Sequence, residues 1–471
     1  MVDILDLAER LWNGDEEIAS AHPLATNSPL VEIADGVAFV ASFARVSAFR
    51  TGDGLVLVDT GHELTARHIH AEVRSWSPDR LNTAIFSHGH VDHVLGVGVF
   101  EEEAAAKGWT PPTVVAHEAL PARFDRYKLT AGYNAVINQR QFQLAEPIWP
   151  TEFRYPDRTY ATEERFEVGG LGFELHHARG ETDDHTWTYV PDRKVLCPGD
   201  LFIWASPNAG NPQKVQRYAR EWAIALRQMA GLGAEVLLPG HGFPVVGADR
   251  VRTALSETAG LLESLVEQTL SLMNAGARLD EILHSVVLPA ALLARPYLRP
   301  VYDDPEFIVR NIWRQYGGWY DGNPARLKPA PDAAVAAELA ALAGGAPVLA
   351  RRALELVDEA GCRGPGAGPG AGPGAGPGAG PGAGTGAEAG VEEAAREAAR
   401  EAAREADRDR RLRLAGHLAE LAVLAEPADA EVLRAHAEVF EARVEAESST
   451  MAAGIFAWAA RQSRAVLPGS A

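Results

Sequence analysis

The sequence contains very little cysteine: Cys197 and Cys362 are the only two among 471 residues. Two cysteines so far apart exclude a disulfide framework and a cysteine-rich zinc module. Their scarcity is typical of a protein from a reducing compartment, and we therefore expect a cytoplasmic location.

Positive charge is scarce as well, since 44 Lys and Arg residues stand against 64 Asp and Glu, for a formal net charge of -20. A surface of this sign repels phosphate backbones and anionic membranes, so nucleic acid is not an expected partner. The sequence also lacks an apolar run long enough to cross a bilayer. Its stretch 1–13 has neither the basic start nor the continuous apolar run of a secretory signal, and we expect no membrane insertion.

Short apolar runs rich in Val, Ile and Phe, separated by Gly, Pro and Asp, extend from about Val31 to Pro244. This pattern predicts many strands with helices between them. Val37 to Phe49, the turn at 51–54 and Leu55 to Asp59 are typical of a strand, a turn and a second strand. Further strands are predicted at 84–87, 113–116, 173–177, 186–190, 194–197 and 235–238.

After Gly247 the composition changes to Leu, Ala, Glu and Arg at helical spacing, which predicts a mainly helical region. We therefore predict one domain at 1–247 and a helical domain at 248–471. The Gly-Pro-Gly-Ala repeat at 364–384 blocks both helix and strand, so we interpret it as an insertion in the helical domain. Helices are predicted at 253–273, 305–316, 391–407, 412–424 and 430–446.

Four side chains that bind metals are clustered in one short segment, which follows an apolar strand and precedes a Gly-rich stretch that can begin a helix: His88, His90, Asp92 and His93. Imidazoles and carboxylates at this density can face different directions and serve two metal ions about 3.5 to 4 Å apart. The segment therefore predicts half of a two-metal centre.

This His-x-His-x-Asp-His segment resembles the metallo-β-lactamase superfamily, as does Asp59 within Leu-Val-Asp-Thr-Gly. The resemblance implies an α/β fold, the αββα sandwich, with three further ligands at strand ends. These fall within 179–185, at Asp200 after Pro-Gly, and at His241 within Pro-Gly-His-Gly. The resemblance also implies that Asp200 bridges the two metals and that His241 shares the second metal with Asp92 and His93.

Glu181 stands where the superfamily has a histidine, and His185 follows it closely. Alignment on Gly180 favours Glu181 as the ligand of the first metal, with His185 as the alternative. A carboxylate is a harder ligand than imidazole and would slightly lower the Lewis acidity of that metal. If Glu181 is the ligand, we expect His185 to hold Glu181 or a bound water in place without contacting the metal itself.

The glutamate makes the chain similar to the alkyl sulfatases, which follow the catalytic domain with a helical dimerisation domain. The family's Gly-Trp-aromatic-Asp-Gly-Asn-Pro motif is reproduced at 318–324. The resemblance implies a homodimer and a sulfate ester as the substrate. Asp200 departs from the family, whose bridging residue is usually a second glutamate.

The family's sulfate-holding stretch is also replaced here, by the segment 208–217. We therefore treat Asn208, Lys214 and Arg217 as candidates for substrate binding, with Lys214 or Arg217 in place of the missing cation. Tyr133 lies where the family has substrate-facing tyrosines, and a buried structural role is the alternative for it.

The ligand set predicts two divalent ions, with zinc as the expected metal and iron or manganese left open. Such ions hold a water and lower its pKa from about 16 toward 7, which yields a hydroxide nucleophile. Asp92 is assigned a catalytic role in addition to ligation. The predicted function is hydrolysis of a small-molecule ester, an alkyl sulfate if the resemblance holds. A thioesterase, lactonase or carboxylic esterase of the same fold, or a non-catalytic assembly scaffold, are the alternatives.

Overall fold

The computed structural model describes residues 3–362 and 387–467. The chain divides into two compact units, one formed by Met1–Leu327 with Ser448–Met451 and the other by Lys328–Glu447 with Ala452–Ala471. The Gly-Pro-Gly-Ala repeat at 364–384 lies outside the described residues.

The first unit contains two β-sheets. The seven-stranded sheet has its strands in sequence order: Ser28–Ala34 (β1), Val37–Ala41 (β2), Arg45–Thr51 (β3), Gly54–Val58 (β4), Leu81–Ile85 (β5), Thr113–His117 (β6) and Arg158–Tyr160 (β7). The six-stranded sheet has the order β13-β12-β11-β10-β9-β8: Glu163–Val168 (β8), Leu171–His177 (β9), Thr186–Val190 (β10), Val195–Gly199 (β11), Val236–Pro239 (β12) and Val245–Val246 (β13). Strands β4 to β7 pair in parallel, as do β11 and β12.

Helices of the first unit surround the sheets. They are Ile4–Asn13 (α1), Glu63–Trp76 (α2), Val91–Val94 (α3), Val97–Lys107 (α4), Leu120–Leu129 (α5), Ala131–Phe142 (α6), Ala219–Ala230 (α7), Ala248–Asn274 (α8), Leu279–Ser285 (α9), Ala290–Leu293 (α10) and Pro305–Gly317 (α11).

Strand β2 shows why the sheets pack in layers. Its residue Phe39 belongs to a core shared with Phe173 of the second sheet, whereas its residue Val40 belongs to a core shared with Phe100 of α4. Successive side chains of a strand point to opposite faces, so the first sheet has the second sheet on one face and helices on the other. Trp222 of α7 joins the core of the second sheet. The predicted αββα sandwich followed by a helical region is confirmed.

The predicted single strand from Val37 to Phe49 was wrong, because it is two antiparallel strands, β2 and β3. The chain reverses at 42–44, where the Arg45 guanidinium donates to the Ser42 carbonyl. The reversal contains neither Gly nor Pro, so local sequence carried no sign of it.

The second unit is helical in its described part: Asp332–Ala343 (α12), Ala346–Glu359 (α13), Ala387–Ala425 (α14), Ala430–Ala446 (α15) and most of Thr450–Val466 (α16). The separate helices predicted at 391–407 and 412–424 are one helix, α14. Ion pairs four residues apart, Asp407 with Arg411 and Asp409 with Arg413, continue across the expected break and stabilise a continuous helix.

The boundary between the two compact units differs from the domain boundary that the composition predicted. Contacts divide the chain after Leu327, and α8 packs into the same core as the second sheet. The functional boundary at 247 stays a prediction. Within 3–362 and 387–467, no single helix is both long and apolar enough to cross a membrane, although the bent pair α12 and α13 passes by length and composition.

Candidate metal centre

The predicted ligands lie just beyond the carboxyl ends of four strands. The segment 88–93 follows β5, Glu181 follows β9, Asp200 follows β11 and His241 follows β12. Because β11 and β12 are parallel and Gly199 pairs with Pro239, Asp200 and His241 come from the same edge of their sheet. The sandwich therefore gathers residues far apart in sequence at one end.

The structure brings all seven predicted ligands together in two groups. Ligand atoms within each group lie within 4.8 Å of one another: His88, His90, Glu181 and Asp200 in the first group, and Asp92, His93 and His241 in the second. The second group is the set that the resemblance implied for the second metal, and the role of these residues as ligands stays a prediction.

Asp200 lies between the two groups. Its Oδ1 is 3.3 Å from His93 Nε2, and its Oδ2 is 3.4 Å from His241 Nε2 and 3.7 Å from His88 Nε2. Ligand atoms about 2.0–2.1 Å from a tetrahedral zinc ion are about 3.4 Å apart. The spacing therefore suits a divalent ion in each group, with Asp200 in reach of both.

Several buried polar atoms at this centre have no hydrogen bond of good geometry among the described residues: His93 Nε2 and Asp200 Oδ1, which lie 3.3 Å apart, and Glu181 Oε2. In addition, His88 Nε2 and His90 Nδ1 converge to 2.8 Å. Buried polar atoms without partners are costly, and divalent ions would satisfy them. The residues present therefore fit a pair of divalent metal ions.

The electrostatics of the cluster also favour cations. Although burial opposes the shift, Asp200 and Asp92 raise the pKa of His241 to about 9. The same carboxylates and Asp59 raise the pKa of His93 well above its usual value, again against burial. These protons balance an excess of carboxylates, and metal ions would replace them. Burial together with His93 instead lowers the pKa of His88, so its imidazole is neutral, as a metal ligand requires.

Residues behind the ligands orient them. Asp59 Oδ2 accepts hydrogen bonds of 2.7 Å from His93 Nδ1 and Ser87 Oγ, and His241 Nδ1 donates to the Phe43 carbonyl at 2.7 Å. Both bonds leave the Nε2 atoms free for a metal, which is the usual arrangement of histidine ligands. Asp59 was part of a recognised motif, but sequence reasoning assigned it no role.

Glu181 and His185 have different surroundings. Glu181 lies in the first group, with Oε1 3.7 Å from His90 Nδ1. His185 lies outside both groups, its ring stacked on His88 with 4.7 Å between centroids, and its Nε2 donates to the Pro198 carbonyl at 2.9 Å. The geometry therefore favours Glu181 as the ligand and a supporting contact for His185.

Two predicted substrate-binding residues contact Glu181 instead of facing an open cavity. Asn208 Nδ2 donates to Glu181 Oε1, and Arg217 Nη1 lies 2.7 Å from the same oxygen. Both residues are buried. Burial raises the pKa of Glu181 and Arg217 opposes that shift. Substrate binding by Asn208 and Arg217 stays a prediction.

The other two candidates are more accessible. Lys214 is half-buried with its Nζ 5.7 Å from the Trp149 ring centroid, and burial together with Arg217 lowers its pKa to about 8. Asp92 and Glu181, one residue from each ligand group, oppose this lowering of the pKa. Tyr133 is 63% exposed on α6, and its substrate role likewise stays a prediction.

Sequence reasoning missed Arg123, which joins the two ligand loops. Its Nε donates to Asp184 Oδ1 at 2.7 Å, and Asp184 Oδ2 accepts from the Gly89 amide at 2.8 Å. A Cβ at Gly89 would lie 2.7 Å from Arg123 Cδ, so this position requires glycine. Asp184 within the segment 179–185 was the only local sign of this connection.

Two family models match the chain. One describes the metallo-beta-lactamase superfamily and covers residues 42–241, and the other describes alkyl sulfatase dimerisation and covers residues 278–363. The chain therefore contains a metallo-beta-lactamase domain and an alkyl sulfatase dimerisation domain.

Similar proteins indicate the branch. A linear primary-alkylsulfatase from a Pseudomonas strain is 29% identical over 315 residues, which cover 62% of this chain and 59% of that protein. An (R)-specific secondary-alkylsulfatase from Pseudomonas sp. is 28% identical over 347 residues, which cover 67% of this chain and 52% of that protein. Together with the match to the alkyl sulfatase dimerisation model, these similarities support the alkyl sulfatase branch of the superfamily. It spans less than two thirds of the length of these relatives.

A solved structure supports the fold. The stereoselective inverting sec-alkylsulfatase from Pseudomonas sp. superposes with a TM-score of 0.75 at 22% sequence identity, covering 94% of this chain and 66% of that one. At this level of identity the likeness concerns the fold alone.

Proposed function

We propose that the protein is a binuclear metal-dependent hydrolase of sulfate esters, with an alkyl sulfate as the substrate. The observation that carries the proposal is Glu181, a glutamate in the first ligand group of a chain whose relatives are named alkylsulfatases. Zinc is the proposed metal, since imidazole and carboxylate ligands at this spacing suit it.

Bound metal ions would supply Lewis acidity and a water of lowered pKa. The first group, His88, His90, Glu181 and Asp200, would hold one ion. The second group, Asp92, His93 and His241, would hold the other together with Asp200. Asp92 and His90, whose side chains are 15% and 19% exposed, border the open side of the centre. Asp92 then accepts a hydrogen bond from the attacking water and orients it.

Lys214 is proposed to bind the anionic end of the substrate, because it is a half-buried cation whose pKa responds to Asp92 and Glu181, one residue of each ligand group. Its ammonium would neutralise charge on the sulfate oxygens as the ester bond breaks. Water is consumed, and the alcohol and hydrogen sulfate are released.

The reaction is tested by incubating the zinc-loaded protein with alkyl sulfates of six to twelve carbons and following sulfate release. Parallel assays use a thioester, a lactone and a carboxylic ester of matched chain length. Sulfate release at a rate above that of the apo protein supports the proposal. Turnover of another ester without sulfate release contradicts it.

Hydrolysis of an ester other than a sulfate ester is the second candidate function, and one observation favours it. Asn208 and Arg217, in the segment that replaces the family's sulfate-holding stretch, both contact Glu181. That leaves Lys214 as the remaining predicted cation for a sulfate. A thioester, lactone or carboxylic ester does not need a cation to bind a sulfate group. The parallel assays above decide between the two candidate functions.

A homodimer is proposed from the dimerisation domain model at 278–363. Trp319 of the family motif is 72% exposed in the single chain, as expected of a side chain that a partner covers. Light scattering at micromolar concentration should give twice the 50.4 kDa of one chain. A monomeric mass contradicts this part of the proposal.

A further inference from the structure

Arg45 is a buried cation next to the metal centre. It lies in β3, it is 2% exposed, and burial lowers its pKa to about 9, so it stays charged at neutral pH. Among residues 3–362 and 387–467 its side chain has carbonyl partners and no carboxylate partner. A buried charge of this kind is costly, and packing alone does not account for it.

The guanidinium connects three chain segments. Its Nε donates to the Gly242 carbonyl at 2.8 Å, its Nη2 donates to the Pro23 carbonyl at 2.8 Å, and its Nη1 donates to the Ser42 carbonyl. The Arg45 amide also donates to the Gly240 carbonyl at 2.9 Å. Arg45 therefore holds the turn at 240–242 on both sides of His241.

The same contacts determine the orientation of the His241 ring. His241 Nδ1 donates to the Phe43 carbonyl, and the carbonyls that Arg45 holds belong to Ser42, next to Phe43, and to Gly242, next to His241. His241 and Phe43 form the hydrogen bond that orients the ring. Each of them is therefore next to a residue whose carbonyl accepts from the Arg45 guanidinium. Because the guanidinium is planar and rigid, it sets the distance between the Ser42 and Gly242 carbonyls.

The turn itself has little freedom to compensate. A Cβ at Gly240 would lie 2.1 Å from Asp200 Oδ1, and one at Gly242 would lie 2.6 Å from Trp204 Cβ. The turn is therefore closely packed against the bridging carboxylate on one side and an indole on the other.

We propose that Arg45 is a positioning residue for His241: it clamps the turn at 240–242 to Ser42 and Pro23 and so directs His241 Nε2 at the second metal. The inference rests on the proposed two-metal centre. Pro23 precedes the segment that matches the superfamily model, 42–241. The proposal implies that its carbonyl, by accepting from Arg45, helps to position the metal centre.

The test is a zinc count on the full-length protein after dialysis against a zinc buffer, for the wild type and for Arg45→Lys and Arg45→Met. Arg50→Met is the matched control, since Arg50 lies on the same strand and its guanidinium donates to the Trp76 carbonyl away from the centre. Loss of a group behind a metal ligand typically lowers metal affinity about 10- to 100-fold. We expect the Arg45 variants to keep one zinc and to bind the second about 10- to 100-fold more weakly, while Arg50→Met keeps two.

Arg45→Lys retains the charge, so it keeps the test valid if Arg45→Met does not fold. Combining Arg45→Lys with His241→Ala provides a second measurement, because a residue that acts through His241 adds no further loss of second-site affinity. Two zinc ions at wild-type affinity in Arg45→Lys, equal weakening of both ions, or additive losses in the double variant would overturn the clamp. A wild-type protein that binds no metal contradicts the proposed function as well.

Discussion

Arg217 and Glu181 form a buried ion pair beside the first ligand group: Nη1 lies 2.7 Å from Oε1, and both side chains are 2% exposed. The Glu181 carboxylate has its other oxygen, Oε2, without a hydrogen-bond partner among the described residues. The protein therefore holds Oε1, and among the described residues nothing holds Oε2. The substitution of glutamate for histidine thus comes with its own counter-ion.

Arg217→Met should destabilise the metal-free protein strongly. It leaves the Glu181 carboxylate buried without its counter-ion, which typically costs about 3–5 kcal/mol. Arg227→Met is the control, because the pair of Arg227 with Glu263 is about half exposed and such pairs contribute about 0–1 kcal/mol. Thermal denaturation in the presence of a chelator measures both, and equal losses would contradict the role given to Arg217.

Glu181→Gln and His185→Gln should differ in metal content. Glu181→Gln removes a charged oxygen of the first group, and we expect one zinc ion per chain instead of two. His185→Gln removes the stack on His88 but no ligand, and we expect two ions with affinity lowered by at most about 100-fold. Elemental analysis after dialysis measures both. The reverse pattern would make His185 the ligand.

Asp200→Ala should remove both metals and the hydrolytic activity, since its oxygens reach both groups. Asp192→Ala, at an exposed acidic residue on the turn between β10 and β11, is the matched control and should keep both metals. Zinc content and sulfate release are measured together. Activity retained in Asp200→Ala would contradict the bridging assignment.

Zinc affinity should increase with pH up to about 9. The pKa of His241 is raised to about 9 in the metal-free protein, so below that pH a proton competes with the ion for Nε2. Competition titrations against a chelator between pH 6.5 and 9.5 measure the affinity after correction for the chelator's own protonation. In His241→Ala the rise for the second ion should become shallower, because only the proton on His93 still competes for that group, and an unchanged profile would contradict the prediction.

Lys214→Met should raise KM for an alkyl sulfate about tenfold or more, since a hydrogen bond to a charged group contributes about 1.5–3 kcal/mol. The pKa of Lys214 is lowered to about 8, so its cation is present below that pH and is lost as pH rises. The wild-type KM should therefore rise above pH 8, and the KM of the variant should not. Lys194→Met, at an exposed pair with Glu235, is the control. A parallel pH profile for wild type and variant would contradict this role.

Local sequence was sufficient for the ligand loop and for much of the sheet. The residues His88 to His93 are adjacent in the chain, so their chemistry could be recognised without any knowledge of the fold. The strand predicted at 186–190 and the helix predicted at 430–446 have the predicted bounds, because their patterns are uninterrupted and clearly bounded. A resemblance in spacing then supplied Glu181, Asp200 and His241, which the structure gathers with the loop.

Only the tertiary structure decided what surrounds the ligands. Arg217 contacts Glu181, which is 36 residues away in the sequence, and Arg45 contacts Gly242, which is 197 residues away. Burial selects such partners, because an unpaired charge removed from water must find compensating groups wherever the packed chain places them. Periodicity and motif spacing describe neighbours along the chain, so they predicted the candidate metal ligands of this protein but not the residues that hold them in position.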